Sequence, residues 1–284
     1  MPNATLIIKQ ATVLSVLSLQ GDSVEKIEKD VAKEYWENQA KTHKGSHLAS
    51  WSDNFMIKLE IEAIGEHISS GDHVLDIGCA NGYSAFQQLE RHKDVGSITG
   101  VDFAENMIKQ ANLLKKAQWV GDIVKFEVGD INSLQFPDNT FDVAYATRVI
   151  TLMPTWEEQQ IAINECLRVV KPGGKVIFSE PFLEPFTLLN AMRQLKDMPP
   201  LIEHDSNRFF KKAVLEEFFT QKGLTFKVND FSSIYYLGSR FLRELVTDPA
   251  AYPGFNPINR IFFDIEKDFS GGGFGIQQAY IVTK

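Results

Sequence analysis

The period of the apolar positions changes several times along this chain, and each change marks a predicted element. Residues 23–40 set Val24, Ile27, Val31, Tyr35 and Trp36 at helical spacing among charges, an amphipathic helix ending in an aromatic pair. Residues 43–53 are polar apart from Trp51 and read as a loop. Residues 54–68 return to a helical pattern through Phe55, Ile57, Leu59, Ile61 and Ile64. Then the pattern shortens. Val74, Leu75 and Ile77 form a near-continuous apolar run around Asp76, as in a strand buried on both faces. Gly78 and Gly82 follow, where a backbone without Cβ atoms can turn tightly and press on a ligand. Residues 83–91 read as the helix beyond.

The same alternation continues. Strands are expected at 97–101, 124–128, 141–146 and 175–179, with a helix at 106–117. A second helix opens on the capping pattern Thr155-Trp156-Glu157-Glu158 and is stopped by Lys171-Pro172-Gly173-Gly174. Strands and helices that alternate in this way imply a doubly wound α/β sheet, which binds ligands at the carboxyl ends of its strands. Past Glu180 the alternation breaks. A helix is expected at 213–222 and strands at 231–237 and 277–283, with a long irregular stretch between them. Its run Gly271-Gly272-Gly273-Phe274-Gly275 follows no strand-to-helix turn and reads as a turn between the late strands, not as a phosphate cradle.

Composition narrows the function classes. A net charge of −8 and a pI near 5.3 argue against a nucleic-acid or membrane-surface binder. No stretch reaches the ~18 apolar residues of a membrane span. The apolar start, residues 4–19, resembles a short signal segment but lacks a small-residue cleavage site, so it reads as a segment packed on the body or a variable extension. Cys79 and Cys166 are spaced neither for a metal nor for a disulfide framework, and no base near Cys79 marks it as a nucleophile. A cytoplasmic protein with reduced thiols and no metal is expected, with a homodimer left open.

The chemistry gathers at strand ends. Asp76 precedes the glycine turn. Asp102 ends the second strand, where an acid can accept from ribose hydroxyls, and Asp130 ends the third, where a carboxylate can accept from an exocyclic amine. The run from Val74 to Gly82, then Gly100-Val101-Asp102, Val128-Gly129-Asp130-Ile131, Phe136-Pro137-Asp138-Asn139-Thr140-Phe141-Asp142 and Leu167-Arg168-Val169-Val170-Lys171-Pro172-Gly173-Gly174 together resemble the class I S-adenosylmethionine-dependent methyltransferases of small-molecule type. The resemblance covers residues 71–180. It departs at Ala80, where the family has a glycine, and at Arg148 and Thr151, where many members have a hydrophobic residue and a histidine.

That resemblance implies an α/β, Rossmann-like sheet of seven mostly parallel strands with the last reversed, plus N-terminal helices and an inserted lid. It implies residues 1–68 as cap helices, 69–180 as the cofactor-binding core and 181–284 as acceptor-binding insertions and closing strands. S-adenosylmethionine would be the cofactor. Gly78, Ala80 and Gly82 would line its methionine part, Asp102 its ribose, and Asp130 with Ile131 its adenine. Asp76 would support the loop and the amino group, and Trp36 would close over the site.

The acceptor would be a small molecule methylated in line on oxygen or nitrogen. The wording of residues 231–240 is similar to methyltransferases of surface-saccharide or secondary-metabolite pathways. No base is inherited; His204, in the inserted stretch, is the best-placed candidate. Arg240 and Arg243 fit an exposed helix face or an anion site, and the exposed face is expected. Two other readings compete. A nicotinamide-dependent oxidoreductase would want a later glycine that Gly78-Cys79-Ala80-Asn81-Gly82-Tyr83-Ser84 lacks, and a catalytically silent S-adenosylmethionine-binding module would bind without transfer.

Overall fold

The computed structural model describes residues 21–203, 207–248 and 257–284, with side chains from residue 31 onward. The apolar start and His204 with Asp205 lie outside the described residues. The long helix α1 (Gly21–His43) and α2 (Asn54–Gly65) precede the sheet. Asp53 caps α2, its Oδ1 accepting from the Met56 amide at 3.2 Å.

The sheet then builds as the alternation predicts. β1 (His73–Ile77), α3 (Tyr83–Arg91), β2 (Ser97–Asp102), α4 (Glu105–Gln118), β3 (Val124–Val128), β4 (Phe141–Thr147), α5 (Trp156–Val169) and β5 (Val170–Pro181) follow in order. The helix α6 (Leu183–Gln194), α7 (Lys212–Gln221), β6 (Thr225–Asn229), α8 (Ser233–Leu237), α9 (Asn259–Asp268) and β7 (Gln277–Thr283) complete the described residues. These residues form a seven-stranded sheet in the order β3-β2-β1-β4-β5-β7-β6. β7 alone runs against its neighbours β5 and β6.

The period of two in the central strands divides the core. Val74, Val143, Tyr145 and Ile177 pack on one face with α2, α8 and α9; Leu75, Ala144, Ala146, Val176 and Phe178 pack on the other with α5 and α7. The fully buried Asp76 lies within this apolar frame. β1 pairs with β2 and β4, so its carboxyl end opens between them.

Three expectations are corrected in the last third of the chain. Residues 231–237 are not a strand; the strand is β6, and the chain turns into α8. Phe231 and Tyr235 are one helical turn apart and both buried, and the Tyr235 amide donates to Glu266 Oε2 at 2.8 Å. The irregular stretch contains α9, whose Asn259, Phe263 and Glu266 form one buried face. The glycine run therefore joins a helix to β7 instead of joining two strands. β5 is also longer than 175–179, because Val170 pairs with Phe141 across a register shift.

Candidate active site

The acid and glycine turn lies at the carboxyl end of β1. Gly78 (φ +73°) and Gly82 (φ +79°) adopt the left-handed conformation, and so does Ala80 (φ +47°) between them. The glycines answer to packing as well as to turning. A Cβ on Gly78 would come within 2.1 Å of Val149 Cγ2, and one on Gly82 within 2.6 Å of the Phe126 ring. Their missing side chains thus admit protein neighbours rather than leaving space for a ligand, a different reason from the one the sequence suggested. Ala80 holds a conformation that costs an L-residue about 1–2 kcal/mol, and its amide donates to Asp102 Oδ2 at 2.9 Å.

Asp102 has a second commitment. Its Oδ1 accepts from the Ala104 amide at 2.8 Å. One carboxylate therefore joins the glycine turn to the start of α4. Burial pushes its pKa up to about 6, against the pull of the Ala104 and Ala80 amides, with Glu37 adding a further push.

Asp76 differs. Neither of its carboxylate oxygens makes a hydrogen bond of ordinary geometry among the described residues, although the Tyr145 hydroxyl, also without such a bond, lies near enough to act on it. Burial pushes it up to about 7; Tyr145 opposes the shift, Asp102 and Glu60 add to it, and Arg148 opposes it. A buried carboxyl left open beside a tight turn is suited to a ligand that brings a cation or donors. Cys79, next in the turn, is buried, and burial holds its thiol well above the usual range, so it is no nucleophile.

Of the remaining expected residues, Asp130 is exposed and its Oδ1 accepts from the Asn132 amide at 2.9 Å, an Asx turn that ends β3. Ile131 beside it is buried. Trp36 and Ala80 both pack against the buried cluster of Ala40, Ala49, Ala104 and Met107, which places α1 against the glycine turn.

Two residues tie α1 down that the sequence did not single out. Glu37 accepts from the Glu105 and Asn106 amides at 2.7 and 2.9 Å, capping α4 from another element. The fully buried Asn81 donates to the carbonyls of Lys44 and Ser46 at 2.7 and 2.8 Å. Asn81 sits inside the recognised turn and Glu37 beside Trp36, but only the fold supplies their partners.

Beside the turn, the loop after β4 carries the family departures. Arg148 (φ +55°) forms an ion pair with Glu60 and lies 4.4 Å over the Trp51 ring. Glu60 Oε1 also accepts from Ser179 Oγ at 2.7 Å and Gln277 Nε2 at 3.1 Å. Glu180 Oε1 accepts from the Val149 and Ile150 amides, both at 2.9 Å, and its Oε2 from the Thr151 hydroxyl at 2.8 Å. The loop is thereby pinned to the end of β5.

Arg240 pairs with Asp53 at 2.8 Å, and the Tyr235 hydroxyl donates to the same carboxylate at 2.6 Å. Arg243 is buried and bonds Glu244 at 2.9 Å. The exposed helix face expected for this arginine pair is therefore corrected: a π-helical turn at Gly238–Leu242 carries Arg240 and the 3-10 turn Arg243–Leu245 carries Arg243, each to an acid. A cavity lined by His67, Asp72, Asp142 and Lys171 lies at the opposite, amino-terminal ends of the strands and shares none of these groups. Among the described residues, no cluster of three or more His, Cys, Asp or Glu could hold a metal, and no helix is long and apolar enough to cross a membrane.

Residues 75–178 match a family described as a methyltransferase domain. A demethylmenaquinone methyltransferase of Symbiobacterium thermophilum is 32% identical over 122 residues, covering 41% of this chain and 46% of that protein. The O-methyltransferase rstn1 of Aspergillus nomiae is 31% identical over 177 residues, 60% of this chain and 72% of that protein. The solved structure of a geranyl diphosphate methyltransferase, in complex with GPP and sinefungin, has the same fold. It aligns at a TM-score of 0.52 and 15% identity over 79% of this chain and 76% of that one. The chain thus spans less than half the length of the first of these relatives.

Proposed function

The chain belongs to the class I S-adenosylmethionine-dependent methyltransferases, and from that premise we propose that it methylates a small molecule on oxygen or nitrogen. The observation that carries this is the pair of acids at the turn, one committed and one open. Asp102 spends one lone pair of each oxygen on the Ala80 and Ala104 amides. The remaining lone pairs suit two ribose hydroxyls. Asp76, buried with both oxygens lacking a hydrogen bond of ordinary geometry and only the Tyr145 hydroxyl near, suits the amino group of the cofactor's methionine part, directly or through water.

In this reading Gly78, Ala80 and Gly82 present backbone to the methionine part. Asp130 and Ile131 flank the adenine, and Trp36 closes the site as α1 packs down. When bound, S-adenosylmethionine supplies a methyl group already activated by its sulfonium. The protein's remaining task is to hold the acceptor in line and exclude water, an orientation effect that reaches about 7–11 kcal/mol in favourable cases. The small-molecule acceptor is supported by the acidic composition and by relatives named for small molecules.

Calorimetric titration tests the cofactor assignment. S-adenosylmethionine should bind the wild-type protein, and Asp102→Ala, which frees two amides as well as losing the ribose contacts, should weaken binding at least 100-fold. Equal affinity in the variant would refute the assignment.

A further inference from the structure

Arg148 stands next to Val149, whose side chain fills the space above Gly78, and its charge acts on Asp76. Its guanidinium is held from two sides, by Glu60 and by the face of Trp51. Arg240 repeats that arrangement. Its Nη2 donates to Asp53 at 2.8 Å, and the guanidinium lies 5.8 Å from the Tyr236 ring centre. Tyr236 links the two pairs: burial raises its hydroxyl's pKa, and the charges of Arg240, Asp53, Arg148 and Glu60 all act on it. Their counter-ions Asp53 and Glu60 stand at the cap and in the second turn of α2, about two helical turns apart on one face. Both arginines are thus held along the same helix, Arg240 over the Tyr236 ring and Arg148 next to the residue that packs on the glycine turn.

Donors outnumber acceptors there. Glu60 gives its oxygens to Arg148, Ser179 and Gln277. Asp53 gives its oxygens to Arg240, Tyr235 and the Met56 amide. A guanidinium has five N–H donors. Among the described residues Arg148 bonds through Nη1 alone and Arg240 through Nη2 alone. Both arginine side chains keep a partial opening, 22% and 26% exposed. Planar donor forks, locked in place and short of acceptors, match an oxygen that carries negative charge. A ligand that needs acceptors, such as an ammonium, would find one lone pair left on each acid, against several free N–H groups on the arginines.

We propose that Arg148 and Arg240 bind the methyl acceptor, and that the acceptor is an oxygen acid (a phenol, an enol or a carboxylic acid) held as its anion. This rests on the methyltransferase reading above and names its substrate class. It also explains the lack of a histidine at Thr151, whose hydroxyl is spent on Glu180. An acceptor that binds ionised has already lost its proton to solvent and needs no base. Its oxygen then bonds the methyl carbon as the carbon–sulfur bond breaks, and the electron pair of that bond stays on sulfur.

The test supplies S-adenosylmethionine labelled in the methyl group to a small-molecule extract split by anion exchange at about pH 10. The retained, acidic fraction should take up label at least 10-fold above the flow-through. Arg148→Lys and Arg240→Lys keep the charge but lose the fork, and each should cut transfer 10-fold or more with cofactor affinity within 3-fold of wild type. If either variant misfolds, the paired change Glu60→Gln with Arg148→Gln keeps the buried site neutral and should show the same loss. Label arising from the flow-through alone, or transfer at the wild-type rate in folded variants, would overturn the proposal. Cofactor binding with no label from either fraction would instead overturn the methyltransferase reading, and the acceptor class with it.

Discussion

The cofactor turn and the arginine site lie side by side, yet they manage buried charge in opposite ways. At the turn, Asp76 is buried with both oxygens lacking a hydrogen bond of ordinary geometry, and its pKa rises to about 7. A few residues away, Glu60 and Asp53 each accept three hydrogen bonds and each holds an arginine. One region leaves a polar group unsatisfied for a ligand to complete; the other holds each acid with three hydrogen bonds and leaves donors in excess. Removing a carboxylate should therefore cost binding in the first region and folding stability in the second.

The largest effect is expected in the satisfied region. Glu60→Ala leaves Arg148 without its counter-ion and strips Ser179 and Gln277 of an acceptor, which should lower stability by about 3–5 kcal/mol in denaturant unfolding. Adding Arg148→Ala to that variant should recover part of the loss; no recovery would mean the pair is not coupled. Next, Gly78→Val forces a Cβ toward Val149 at a left-handed φ, and should cost about 3 kcal/mol in the same measurement.

Asp76→Asn should behave differently. Cofactor affinity should fall about 10–100-fold, the worth of a charge-assisted contact, while the fold survives. The pH dependence sharpens this. The native carboxyl holds its proton up to about pH 7, whereas an unfolded aspartate releases it near 4. Asp76 therefore makes the free protein less stable as pH rises from about 4 to 7, and Asp76→Asn should remove that share of the slope. Cofactor affinity should rise across pH 6 to 8 in the wild type and stay flatter in the variant. The smallest effect belongs to Ala80→Gly, which relieves left-handed strain and should stabilise the fold by about 0.5–1 kcal/mol in thermal unfolding.

The same contrast explains what could be read from the chain. The turn is local: acid, glycines and the strand-end aspartates lie in one stretch whose order carries the resemblance. Strand period and helix caps were legible for the same reason, and Thr155 does accept from the Glu158 amide at 3.2 Å. The arginine site is assembled from distant pieces. Arg148 meets Glu60 across 88 positions and Arg240 meets Asp53 across 187, so no window of sequence holds either pair. Each of those acids passed as an ordinary helix residue or loop end. The misread strand at 231–237 has a related cause: Phe231, Ile234, Tyr235, Tyr236 and Leu237 favour β structure locally, and packing on α2 and α9 overrides them.

Asn81 has a consequence for the order of assembly. Its two bonds run to the carbonyls of Lys44 and Ser46, just past the end of α1. A molecule in which α1 has come away must leave this buried amide and the underside of the turn wet, so docking of the helix and completion of the cofactor cradle form one equilibrium. Ligand that favours the finished cradle must, by reciprocity, hold the helix down. Proteolysis in the 43–53 loop should slow as cofactor is added, and a chain trimmed ahead of residue 44 should lose affinity although every acid at the strand ends is still in place.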